Sequence, residues 1–228
     1  MDDNFFLLDI FTFTNSILLF VYIIIICKIL NKNTSPSIRM VTYYLLFSFL
    51  FDAITNFFIF YVRHHYNVTD NIFLSIIYRL GEFLIIGHLV NKYWLKSKIM
   101  WLLIFLGSLY SVYDLCTYRY IGVLNYTGNA QIFSNIILLI LFVATLITML
   151  QSEQLFKIRN QMLLMLFLGY FSIHLVYTVI SNYIINQSFS SQSFTLFFCS
   201  YILLHIVYYF ALTYIVIRSN KFELNKMR

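Results

Sequence analysis

Ile72-Phe73-Leu74-Ser75-Ile76-Ile77-Tyr78-Arg79-Leu80-Gly81-Glu82-Phe83-Leu84-Ile85-Ile86-Gly87-His88-Leu89-Val90 decides how the chain must be read. Its nineteen residues are long and apolar enough to approach a bilayer span, yet an arginine and a carboxylate sit at its centre. At that depth each charge costs about 2.5–3.5 kcal/mol on insertion scales, so such groups are retained where they pair and face protein. Ser75, Arg79 and Glu82 recur at steps of three and four, which places them on one helical face.

Working outward, the 228 residues are 61% hydrophobic and 11% charged, with mean hydropathy +0.81. A soluble domain carries about 25% charged residues. A soluble enzyme is thereby excluded, and the reading is an all-α membrane protein: a seven-transmembrane-helix bundle in one polytopic domain. Apolar windows of about 20 residues match a hydrocarbon core of about 30 Å. They fall near 8–30, 40–62, 71–93, 99–118, 130–150, 161–186 and 194–217. One Pro and six Gly predict mostly continuous helices. Cys27, Cys116 and Cys199 are odd in number and have no motif spacing, which argues against a disulfide framework.

Positive charge is retained on the cytoplasmic side. Twelve of the fifteen Lys and Arg fall in alternate connections and the tail: Lys28, Lys32, Arg39; Lys92, Lys96, Lys98; Lys157, Arg159; and Arg218, Lys221, Lys226, Arg228. The expected orientation is N-terminus outside and C-terminus cytoplasmic, in the cytoplasmic membrane. The acidic start (Asp2, Asp3, Asp9) lacks the positive region of a signal peptide, so the first span is expected to be kept. The net charge of +6 follows from this asymmetry and from anionic lipid, and nucleic acid is not an expected partner.

Other spans also carry polar faces. In span two, Ser48, Asp52 and Asn56 align, with Asp52 about 18 Å from Met40 and near the midplane. Span six aligns Tyr170 and His174, and span seven Tyr201 and His205. Span five is polar only at its ends and is expected to be peripheral. His88 points away from Arg79, while Trp94 and Trp101 read as interface anchors. At the level of depth, Asp52, Arg79, Glu82, His174 and His205 form one central layer, supported by Ser48, Asn56, Tyr78, Tyr170 and Tyr201, in which Asp52 competes with Glu82 for Arg79.

This layer supports several functional readings. It can be a hydrogen-bonded clasp, or a sensing site whose occupancy or protonation shifts helix packing. His174, His205, Glu82 and Asp52 are also a candidate zinc or iron ligand set, which would suit an intramembrane lipid hydrolase using metal-activated water. No H-x-x-x-H pair accompanies them, and no motif specifies a cofactor. A pore-forming or proton-linked protein is a further class. The leading expectation is non-catalytic: a membrane sensor or interaction module acting through a protein partner at the basic loops, or as a homo-oligomer.

Tyr78-x-x-Gly81-Glu82-Phe83-Leu84, the polar span two and Leu204-His205-Ile206-Val207-Tyr208-Tyr209 resemble a large group of uncharacterised bacterial seven-helix membrane proteins. That resemblance implies the fold and no activity. Among enzymes, Ser48, Asp52 and two late histidines are similar to the ceramidase and progestin-receptor superfamily, without its final H-x-x-x-H pair.

Overall fold

In lipid a backbone must satisfy its own polar groups, so a chain of this composition resolves into helices. The computed structural model describes residues 3–29, 36–58, 61, 72–121, 128–151, 158–185 and 191–226. Among these residues there are no strands. The helices are α1 (Asp3–Ile29), α2 (Pro36–Phe57), α3 (Ile72–Val90), α4 (Lys98–Ile121), α5 (Asn129–Gln151), α6 (Ile158–Ile185) and α7 (Ser191–Lys226). Each expected span coincides with one helix. The part of span two beyond residue 58, apart from residue 61, and the connections 30–35, 62–71, 122–127, 152–157 and 186–190 lie outside the described residues. Six helices are long and apolar enough to cross a membrane. The chain is a multi-pass membrane protein. In α1 the described apolar stretch is shorter, Thr12–Ile24.

Local chemistry sets where the helices begin and end. Pro36 opens α2, where a missing N–H costs nothing. Gly128 takes a positive φ of 62°, and its carbonyl accepts from the Gln131 and Ile132 amides at 3.1 and 3.2 Å, starting α5. Between α3 and α4 the chain passes through a π-helical turn, Asn91–Leu95, and reverses at Lys96 with φ 54°. The side chain of Asn91, fully buried, holds this reversal. Its Nδ2 donates to the Ser97 carbonyl and its Oδ1 accepts from the Ser97 amide, both at 2.9 Å.

Consecutive helices are antiparallel neighbours. Ser16 meets Asp52, Ser48 meets Tyr78, Ser111 meets Ser134, and Asn135 meets His174. α1 lies along α7 and closes the ring, while α3 also packs against α5 across the interior. Gly107 lets α4 come close to both, because a Cβ there would meet Phe83 Cζ of α3 at 2.7 Å and Ile137 Cδ1 of α5 at 2.9 Å. The core between them is built from Tyr44, Phe83, Phe142, Phe167, Phe171 and Leu212.

Two expectations about position are corrected. α5 is not peripheral: it packs against α3, α4 and α6, and Ser134, Asn135 and Thr145 are buried. Trp94 is not an interface anchor either, since it is buried in the core against Phe167 at a 6.3 Å ring separation. Trp101 is 39% exposed and receives the edge of His88 at 5.2 Å. Cys116 and Cys199 are free thiols.

Candidate functional site

α3 places Glu82 about 14 Å along its axis from Phe73, near the middle of a hydrocarbon core of about 30 Å. The carboxylate is 2% exposed. Burial of this kind demands that each oxygen be satisfied. Oε2 accepts from Arg79 Nη1 at 2.6 Å, and Oε1 accepts from the Tyr44 hydroxyl at 2.7 Å and more weakly from Tyr78 at 3.4 Å. The Tyr78 hydroxyl also meets Tyr209 at 3.0 Å and Ser48 at 3.3 Å. Glu82 therefore joins α2, α3 and α7.

From Arg79 a second branch runs the other way. Its Nη2 donates to the Tyr201 hydroxyl oxygen, which lies 2.7 Å from His174 Nε2. His174 Nδ1 in turn lies 2.9 Å from the amide of Asn135. Arginine has only donors, so the direction at Tyr201 is fixed. If the Tyr201 hydroxyl donates its hydrogen bond to His174 Nε2, then Nδ1 of the neutral ring carries the proton and the Asn135 amide turns its oxygen to accept it. The opposite tautomer aims two donors at the Tyr201 oxygen and leaves the tyrosine proton without an acceptor. The first arrangement satisfies every member, which is the condition for a buried polar network to stabilise.

The resulting chain runs from Tyr44, and from Ser48 through Tyr78, to Glu82, Arg79, Tyr201, His174 and Asn135, and visits α2, α3, α7, α6 and α5 in turn. An aromatic lining surrounds it. Tyr170 stacks on Tyr208 at 3.6 Å, and both hydroxyls are buried without a hydrogen-bond partner. His205 stands edge-on to Tyr201 at 4.4 Å and 6.1 Å from the His174 ring, with its Nδ1 donating to the Tyr201 carbonyl at 2.9 Å.

The expected five-residue layer thus divides. Arg79, Glu82, His174 and His205 come together with Tyr78, Tyr170, Tyr201 and Ser48. Asp52 and Asn56 do not join them. The Asp52 carboxylate is held by the Ser16 hydroxyl and, at 3.4 Å, by Asn15, both on α1, with Asn56 at 3.5 Å on its own helix. One turn separates Ser48 from Asp52, and over that turn the polar face of α2 passes from α3 to α1. Asp52 cannot compete for Arg79, because Glu82 is already one turn away on the same helix as the arginine.

The sequence reading missed three members: Tyr44, Asn135 and Thr178. Tyr44 had a signal, since it extends the four-residue spacing of Ser48, Asp52 and Asn56 by one turn. Asn135 had only its polarity in an apolar span. Thr178 donates to the His174 carbonyl at 2.9 Å and stands beside Asn135 at 3.5 Å.

As a metal site the group is poorly furnished. Both Glu82 oxygens and both His174 nitrogens already serve protein partners, and no three His, Cys, Asp or Glu side chains converge as ligands among the described residues. No family model matches the chain, and neither a curated protein nor a solved structure does.

Proposed function

We propose that this protein is a membrane sensor or interaction module in which the buried network couples the packing of α2, α3, α5, α6 and α7, and whose output passes to a partner protein or a second copy. The observation that carries this reading is the single hydrogen-bonded chain across five helices, centred on one Arg–Glu pair. A clasp between two helices needs one such bond. A chain through five ties the position of each helix to the state of groups it does not touch.

α7 is the natural output element. It contributes Tyr201, His205 and Tyr209 to the interior, and its 36 residues extend about 54 Å, well beyond a core of about 30 Å. Its last turns run past the apolar window Thr195–Arg218 into a segment bearing Lys221 and Lys226. With the positive-inside orientation, all seven helices cross, the N-terminus lies outside and this extension projects into the cytoplasm.

The test is a distance measurement between α5, where the chain ends, and the output helix α7. Spin labels at Leu150→Cys on α5 and Tyr214→Cys on α7, both exposed positions, are placed on an otherwise cysteine-free protein in lipid nanodiscs. Two inputs are applied: a change from pH 8 to pH 5, and solubilised membranes of the source cell. The reading expects a shifted distance distribution with at least one input, suppressed by Tyr201→Phe. Unchanged distances under both inputs overturn it.

A further inference from the structure

The second polar group, on α1 and α2, shares no residue with the network around Arg79 and does not depend on its reading. Asp52 has no Lys, Arg or His within ion-pair distance among the described residues, unlike Glu82, which pairs with Arg79. Every group turned toward its carboxylate is neutral: the Ser16 hydroxyl, and the amides of Asn15 and Asn56 at 3.4 and 3.5 Å. Asn56 Nδ2 also donates to Ser16 Oγ at 2.5 Å. These donors suit an ionised carboxylate, for which the described residues supply no counter-charge.

An independent observation identifies what is missing. The Oδ1 atoms of Asn15 and Asn56 are both buried with no hydrogen-bond partner, and Asn15 as a whole is only 9% exposed. Two carboxamide oxygens are thus stranded beside an uncompensated carboxylate, while their amide nitrogens make only long bonds to it. Turning each amide by half a rotation exchanges nitrogen for oxygen at the same place. The carboxylate, two amide oxygens and the Ser16 hydroxyl would then present up to five oxygens to a common point.

We propose that Asp52, Asn15, Asn56 and Ser16 form a binding site for one sodium ion between α1 and α2. An all-oxygen set selects a hard cation over zinc, copper or iron. One carboxylate balances one positive charge, whereas calcium or magnesium would leave an excess charge in a low-dielectric interior. Asn56 lies one residue before Phe57, the last α-helical residue of α2, and Asp52 is about 6 Å further in along the same helix. The bound ion would fasten α1 to α2.

The experiment uses the whole protein in nanodiscs and measures both retention of radioactive sodium and the thermal unfolding midpoint in sodium, potassium or choline chloride at equal concentration. Saturable sodium retention is expected, with a midpoint raised by sodium more than by potassium or choline, and both effects lost in Asp52→Asn. Should that variant fail to fold, Asn56→Ala keeps the carboxylate and removes one ligand. It is then expected to retain sodium about tenfold more weakly. Equal midpoints in the three salts, no saturable retention by the wild type, potassium displacing sodium as well as sodium does, or undiminished retention in Asn56→Ala would each overturn the proposal.

Discussion

Arg79 and Glu82 show why the two charges of α3 must be considered together. Removing one member of a buried, hydrogen-bonded pair leaves the other charge uncompensated and costs about 3–5 kcal/mol. Removing a single neutral hydrogen bond inside a membrane protein costs about 0.6 kcal/mol, and at most about 1.7 kcal/mol. The charge term therefore wins. Arg79→Ala and Glu82→Gln should each lower unfolding stability in detergent several-fold more than Tyr201→Phe. The double variant Arg79→Met/Glu82→Leu removes both charges and strands only the Tyr44 hydroxyl, because Tyr201 keeps its bond to His174, so it should be more stable than either charge-breaking single variant. A double variant as unstable as the sum of two such losses would show that the pair is not mutually compensating.

At the scale of the helices, the test is whether the chain transmits. Asn135 on α5 and Tyr44 on α2 stand at its two ends and share no hydrogen bond. Distant sites without shared partners add within about 0.3–0.5 kcal/mol. Asn135→Leu combined with Tyr44→Phe is expected to depart from additivity by more than that in a thermal or denaturant double-mutant cycle. Additive losses would reduce the network to a set of separate local bonds. What the sequence disclosed about these elements follows the same division between local and long-range. Arg79 with Glu82 was legible because residues three apart on a helix share a face wherever the helix lies. The helices themselves were legible because a bilayer leaves an apolar chain little else to form. Which helix each polar residue faces was not, because an apolar window fixes depth and leaves rotation about the axis open. That freedom explains three differences: Asp52 turned to α1 instead of α3, Trp94 turned inward to Phe167, and Asn135 made α5 central through His174. Each is settled by a partner more than 35 residues away.

For the whole molecule the open quantity is which end of the bundle faces the cell interior, and α5 provides the cleanest measurement. Its 23 residues rise about 33 Å, close to one hydrocarbon thickness of about 30 Å, so its two ends must lie in opposite aqueous compartments. Asn129 and Gln151 occupy those ends and both are exposed. In the proposed orientation Asn129 lies outside, because Lys157 and Arg159 follow Gln151 in sequence whereas the segment before Asn129 contains Arg119 alone. Cysteine placed singly at the two positions, on a background lacking Cys27, Cys116 and Cys199, converts the assignment into a labelling experiment. A membrane-impermeant maleimide added to intact cells should modify Asn129→Cys at once and Gln151→Cys only after permeabilisation. The reverse pattern would invert the bundle and with it the compartment into which α7 projects. It would also turn the Asn56 end of α2 toward the cytoplasm, because α2 is antiparallel to α3 and that end lies on the same side as Asn129. Labelling thus decides at once where the output helix points and toward which compartment the Asn56 end of α2 is turned.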